Sequence, residues 1–219
     1  EIKFEDEKII IINKPSGIPV QGGSGINLSI NDALNIINQK TSKNLEKWQL
    51  VHRLDKDTSG LLLIAKNSKI ADFLTSSFKN KDIKKTYLAL VKGRINKDNG
   101  IIDIPLRKKM LNKNEKVYPD IENGKSAITH FKLIKNFSNF SLIELKPITG
   151  RTHQLRVHCK EIGNPIINDI KYGGKEVINR KISARMCLHS QYIAIEKYYE
   201  DGSSLEIKDN STPDFLKNI

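Results

Sequence analysis

The chain has 219 residues, 38% hydrophobic and 28% charged, enough apolar side chain for a sizeable core and too mixed for a disordered or fibrous protein. No stretch approaches the roughly 18 to 20 consecutive apolar residues of a membrane span, and the opening EIKFEDEKII is too acidic for a secretion signal. Lys plus Arg outnumber Asp plus Glu by 37 to 25, a formal net charge of +12, which favours a polyanionic partner, nucleic acid ahead of membrane, although the same excess would serve solubility alone.

Residues 9–12, IIII, read as a buried strand closed by the turn NKPSG, where Pro15 and Gly17 supply special backbone angles. VQGGSG follows as a glycine-rich loop. Ser29 with Asp32 three residues on forms an acidic capping box, and Ile30, Ala33, Leu34 and Ile37 recur at helical spacing. LLLIA, residues 61–65, is a second buried strand. A helix then begins near Asn67, with Ile70, Phe73, Leu74 and Phe78 on one face. KKTYLALV alternates Tyr87, Ala89 and Val91 against Thr86, Leu88 and Leu90, the period of a strand.

After Gly93 the chain reads as turn-rich until AITHFKLI and FSLIELK, which flank KNFSN as an antiparallel hairpin. In GRTHQLRVHCKEIGNP, Leu155, Cys159 and Ile162 lie on one helical face, Thr152 is placed to cap the start, and Gly163 with Pro165 stops the helix. DGSSLEIKDNSTPDFLKNI reads as a last strand and a short terminal turn or helix. No internal repeat or long linker interrupts the chain, so residues 1–219 are expected to form a single domain with strands and helices intermixed.

Two segments concentrate polar chemistry. In VHRLDKDTSGLLL, Asp55 stands two residues after Arg53 and just ahead of Thr58, Ser59 and Gly60, against the LLLIA strand. A carboxylate at the end of a buried strand loses water on one side and needs donors or a cation; the plainer alternative is an Asp capping a turn. About a hundred residues later, TGRTHQLRVH gathers Arg151, His153, Gln154, Arg156 and His158 at a helix start. Such a face is either solvated or lines a cleft, where an arginine could neutralise an acid from the other segment. Only seven of the 37 basic residues are Arg, so Arg53, Arg151 and Arg156 carry geometric information that lysines do not.

His153, His158, Cys159, Cys187 and His189 match no standard zinc spacing, and no GxSxG, P-loop or GxGxxG occurs, so no metal or cofactor is expected. Two cysteines are too few for a disulfide framework and suit a reducing, cytoplasmic compartment.

NKPSGIPVQGG, HRLDKDTSGLLLIAKN, KKTYLALVKG and GRTHQLRVH followed by GNPIINDIKYG occur in the order found in the RluA-type family of pseudouridine synthases, which the chain closely resembles over residues of about 4 to 195. QGG and VHRLDKDTSG are most similar to the RluC branch, which acts on large-subunit ribosomal RNA. The resemblance implies an α+β fold, a long mixed, mainly antiparallel sheet flanked by helices with a basic cleft. It implies an isomerase that needs no cofactor, with RNA as its partner. A monomer is expected. Branch members often carry a small RNA-binding module ahead of the catalytic domain, and this chain opens at that domain's first strand, so the module is expected to be absent from it.

The resemblance also assigns roles. Asp55 is the catalytic nucleophile or base, Tyr87 stacks on the target base and takes part in proton removal, and Arg156 pairs with the Asp55 carboxylate. Arg53 occupies the space left by a flipped uridine, while His52, Thr58, Gly150, Arg151 and His153 support the site or contact RNA. Lys79, Lys81, Lys84, Lys85, Arg107, Lys108 and Lys109 are candidate phosphate contacts. Competing expectations are a non-catalytic RNA-binding or ribosome-assembly factor, a synthase acting on tRNA, and a metal-dependent nuclease, the last short of carboxylates.

Overall fold

A computed structural model describes residues 1–23, 28–40, 47–111, 114–217 and 219. The chain forms two compact units, one of residues 1–85 with 189–211 and the other of residues 86–188 with 212–219.

In the first unit β1 (Ile2–Glu5) pairs antiparallel with β2 (Ile9–Lys14). Ile9, Ile10 and Ile11 of the isoleucine run are buried, as the sequence predicts, and Ile12 is half-buried. The Ser29 capping box opens α1 (Ile30–Lys40): the Ser29 N–H and hydroxyl donate to Asp32 Oδ2, and the Asp32 N–H donates back to Ser29 Oγ. Of the loop VQGGSG, Ser24 and Gly25 lie outside the described residues. After β3 (Gln49–Leu50) comes β4 (Ser59–Ala65), all seven residues buried. It is antiparallel to β2 along one edge and to β3 on the other. Asn67 caps α2 (Ser68–Asn80) by accepting the Ile70 N–H.

β5 (Ile83–Lys92) leads into the second unit, whose sheet runs β5, β10 (Phe140–Pro147), β9 (Ile128–Asn136) and β6 (Asn99–Asp103), antiparallel throughout. The expected hairpin is β9 and β10. The turn-rich expectation after Gly93 is corrected: that region holds β6 and a separate hairpin of β7 (Leu106–Leu111) and β8 (Asn114–Pro119). Five of its twelve strand residues are charged, and among the described residues Leu106 and Val117 are buried against Ala127, Val157 and Tyr172. α3 (Gln154–Glu161) follows, then the single turn α4 (Ile170–Gly173). The chain returns to the first unit with β11 (Leu188–Ile195) and β12 (Leu205–Lys208), an antiparallel pair. The α+β class and the mixed, mainly antiparallel sheet are therefore as expected.

β11 runs parallel to β4, with His189 opposite Ser59 and Ser190 opposite Gly60. Gly60 has φ +106, and a Cβ there would lie 2.3 Å from the Ser190 carbonyl oxygen, so only glycine permits this approach. Beneath it, Ile9, Ile11, Leu61, Leu63, Leu74, Ile193 and Ile195 form the core of the first unit.

Candidate active site

HRLDKDT, residues 52–58, lies in the short loop between β3 and β4 and is tied down at several points. Leu54 and Thr58 are buried, and the Thr58 N–H donates to the Asp55 carbonyl (3.1 Å). Lys14, 0% exposed, donates from Nζ to the carbonyls of Pro15 (2.9 Å), Ile18 (2.8 Å) and Lys56 (3.1 Å). The Gly17 N–H reaches the same Lys56 carbonyl (2.9 Å), and Ser16 Oγ donates to the Asp57 carbonyl (2.7 Å). The NKPSG turn thus grips the residues that follow Asp55. Asp55 itself is half-buried. Arg53 is exposed, with Nη1 3.3 Å from Gln21 Oε1.

His52 turns inward. Its Nε2 accepts the Leu63 N–H (2.9 Å), which places the proton of the neutral ring on Nδ1, a buried atom without a hydrogen-bond partner among the described residues. The ring lies 5.0 Å from Phe78. Burial, with Lys85 adding to it, pushes the imidazole down to about 3. His52 therefore anchors the loop to β4 as a neutral side chain.

Where β4 begins, Ser59 Oγ lies 2.8 Å from His189 Nδ1, and His189 Nε2 lies 3.2 Å from Asp209 Oδ2. Asp209 is fully buried and also accepts from Asn13 (2.8 Å), Lys3 (2.9 Å) and the Ser211 hydroxyl (2.6 Å). Burial alone would raise its carboxyl, but Ser211 and Lys3 hold it below the ordinary value. This chain ties the start of β4, four residues after Asp55, to the ends of β2 and β12.

In the second unit Tyr87 is a buried residue of β5, paired with Leu145 of β10. Gly150 and Arg151 are exposed, and Arg151 Nε donates to the Ser126 carbonyl (3.0 Å). The expected Thr152 cap is corrected. The N-cap is His153 at φ 52, in the left-handed region, with no side-chain cap bond. Gln154 Oε1 accepts the Arg151 N–H (3.0 Å) and the Thr149 hydroxyl (2.8 Å), which ties down the segment leading into the helix.

The polar face of α3 is buried rather than solvated, because Gln154 through Cys159 are all enclosed. His158 bonds Thr129 Oγ1 (2.9 Å) and the Ile104 carbonyl (3.1 Å), and burial lowers its pKa. Burial also raises the Cys159 thiol and pushes Cys187 up to about 12, so these side chains serve packing. Arg156 is 6% exposed. Its Nε and Nη2 donate to Asp169 Oδ2 and Oδ1, both at 2.8 Å, and its Cζ lies 5.1 Å over the Tyr172 ring. Tyr172 Oη in turn lies 2.7 Å from His153 Nδ1 and accepts the Val117 N–H (3.2 Å).

Residues 8–161 match the family described as RNA pseudouridylate synthase. The chain belongs to this family. The chain is also similar to two proteins named ribosomal large subunit pseudouridine synthase C. That of Rickettsia conorii is 44% identical over 94% of this chain and 66% of its own length. That of Pasteurella multocida is 38% identical over 99% of this chain and 66% of its own length. The chain thus spans about two-thirds of the length of these relatives. Among solved structures, human RNA pseudouridylate synthase domain containing 4 superposes with a TM-score of 0.79 at 25% identity, covering 99% of this chain and 90% of that one. The human domain containing 1 gives 0.78 at 26% identity, covering 96% and 83%.

Lys14, Asp169, Tyr172 and Asp209 went unassigned from sequence. Lys14 sits in NKPSG, legible as a turn but not as a buried ammonium. Asp169 and Tyr172 sit in NDIKYG, whose acid and aromatic at i, i+3 spacing were the available signal. Of the candidate phosphate contacts, Lys79 and Lys81 are exposed. Others are engaged by the protein: Lys84 with Glu196, Lys108 with Glu115, and Arg107 and Lys109 with Asp120. Lys85 lies 5.2 Å over Phe78, and burial pushes it down to about 8.

Proposed function

We propose that the protein is an RNA pseudouridine synthase that isomerises specific uridines of large-subunit ribosomal RNA, working as a monomer in the cytoplasm, with residues 1–219 as a single catalytic domain. The observation that carries this reading is the anchored loop that bears Asp55, in a family whose chemistry needs a single carboxylate. The loop that carries it is held at Lys14, His52, Thr58 and Ser59, which supports a pre-positioned acid.

In this reading the uridine is flipped into a basic cleft and stacks on Tyr87, while Arg53 fills the vacated stack, where its planar guanidinium suits base contact better than a lysine ammonium. Asp55 acts at the sugar or the base so that the N1 glycosidic bond opens. The uracil turns and C5 bonds the ribose; C5 then gives up its proton and N1, freed from the ribose, takes one up, so that atoms and electrons balance. Arg156 offers the guanidinium that pairs with Asp55. Gly150, Arg151, His153, His52 and Thr58 shape and support the site, and the exposed cations hold phosphates.

The test is tritium release from RNA labelled at uridine C5, in the presence of chelator, with unmodified large-subunit ribosomal RNA and tRNA transcripts offered separately. Release from the ribosomal RNA alone supports the reading. Release from tRNA alone would move the substrate class, and binding without release would mark a non-catalytic assembly factor.

A further inference from the structure

We propose that Asp169 is a positioning residue for the isomerisation, its carboxylate deciding which end of the Arg156 guanidinium is presented to the reacting centre. The proposal rests on the reading of Arg156 given above and deepens it.

A guanidinium carries five N–H donors in a rigid plane. Asp169 takes one from Nε and one from Nη2, each at 2.8 Å, in the side-on bidentate arrangement. That choice fixes the plane and directs the Nη1 end the opposite way. Tyr172 closes a face of the same plane, 5.1 Å from Cζ. The guanidinium is thereby held along an edge and a face, which leaves little rotation about its terminal bonds.

Asp169 is itself held for this task. It stands at the N-cap position of α4, yet its side chain makes no cap bond, so its oxygens go to Arg156 and not to the helix. The preceding Asn168 is in the left-handed region, φ 63. Its side chain accepts the Asn179 N–H (2.7 Å) and donates to the carbonyls of Ser183 (2.9 Å) and Arg185 (3.1 Å). The turn that delivers the carboxylate is thus pinned from the loop that follows α4.

Stability alone is a poor reason for this pair. Side-chain exposure is 7% for Arg156 and 1% for Asp169, and at such depth desolvation offsets much of the attraction, so apolar residues of similar size would often serve the fold as well. What a buried bidentate pair supplies and apolar packing cannot is a defined guanidinium orientation.

The experiment is a double-mutant cycle on the full chain, read by single-turnover tritium release from uridine-labelled ribosomal RNA, with RNA affinity and thermal melting measured alongside. Asp169→Asn is expected to slow release by about 100-fold, the scale of a misplaced reacting group, with RNA affinity changed less than about threefold. Lysine has no fork to orient, so in an Arg156→Lys background the Asp169→Asn change should cost less than about threefold more.

Asp169→Asn at the wild-type rate beside an impaired Arg156→Lys would overturn the proposal and leave the role of Arg156 standing. An equal loss in both backgrounds would also overturn it, marking Asp169 as merely structural. Arg156→Lys at the wild-type rate would instead sink the underlying assignment of Arg156, and the proposal with it. Should Asp169→Asn melt below the assay temperature, Asp169→Ser is read by the same criteria.

Discussion

Replacing Lys14 with methionine keeps the length of the side chain and removes the ammonium that links the NKPSG turn to the residue after Asp55. Three carbonyls lose a charged donor, but that of Lys56 still receives the Gly17 N–H. Pro15 and Ile18 belong to an exposed turn, so water can partly replace their lost partner. Two charge-assisted bonds at about 1.5 kcal/mol each, the low end for such groups, give a loss of roughly 3 kcal/mol. Relief of the buried ammonium's desolvation returns roughly 1 kcal/mol, leaving a net cost of about 2 kcal/mol. For a chain of this size that corresponds to a melting point lower by about 4 to 8 °C. The loop holding Asp55 also loses a fixed point, and a displacement near 1 Å would slow tritium release by tens-fold or more, up to about 100-fold. Thermal melting and single-turnover release on the same preparations check both figures. A Lys14→Met protein that melts with the wild type and releases tritium at the wild-type rate would refute the reasoning, and one that is only destabilised would confine Lys14 to the fold.

Other consequences are equally direct. Gly60→Ala sets a Cβ against the Ser190 backbone at a φ of +106; it is expected to cost more than about 3 kcal/mol, seen as a lower urea midpoint or failure to fold. His52 is held neutral, with a folded value of about 3 below an unfolded value near 6.5. The unfolded chain therefore takes up a proton that the fold refuses, and stability falls as pH drops from about 6.5 towards 3. Imidazole NMR signals of His52 that titrate near 6.5 would contradict this. Asp209, held below its ordinary value, contributes stability above the unfolded carboxylate range that is lost as pH falls through the depressed folded value. Asp209→Asn should flatten that part of the acid unfolding curve. RNA affinity should fall steeply with salt, in proportion to the phosphates neutralised; a flat dependence would remove the phosphate contacts from the account.

The parts legible in the sequence were those written in periodicity and caps. The isoleucine and leucine runs of β2 and β4, the Ser29 and Asn67 caps, and the β9–β10 alternation each leave a local signature that the packing preserves. The β7–β8 hairpin was not legible, because Leu106 and Val117 stand among Arg107, Lys108, Lys109 and Lys116 with no period of two. Nor was the start of α3: its N-cap is His153 in the left-handed region with no side-chain cap bond, while Thr152 only has the right residue type. At the site, HRLD and HQLRVH drew attention through density of charge. The residues that set their geometry, Lys14 and Asp169, act through contacts with residues 42 and 13 positions away, which no local pattern encodes.

The central claim is that the carboxylate of Asp55 performs the isomerisation on RNA gripped by the rest of the protein. Tritium release and RNA affinity, measured together for the wild type and Asp55→Asn, test it most directly. The account predicts release from the wild type, release at least about 10,000-fold slower from the variant, as for loss of an essential acid or nucleophile, and unchanged RNA affinity. Comparable release from a folded Asp55→Asn protein would contradict it.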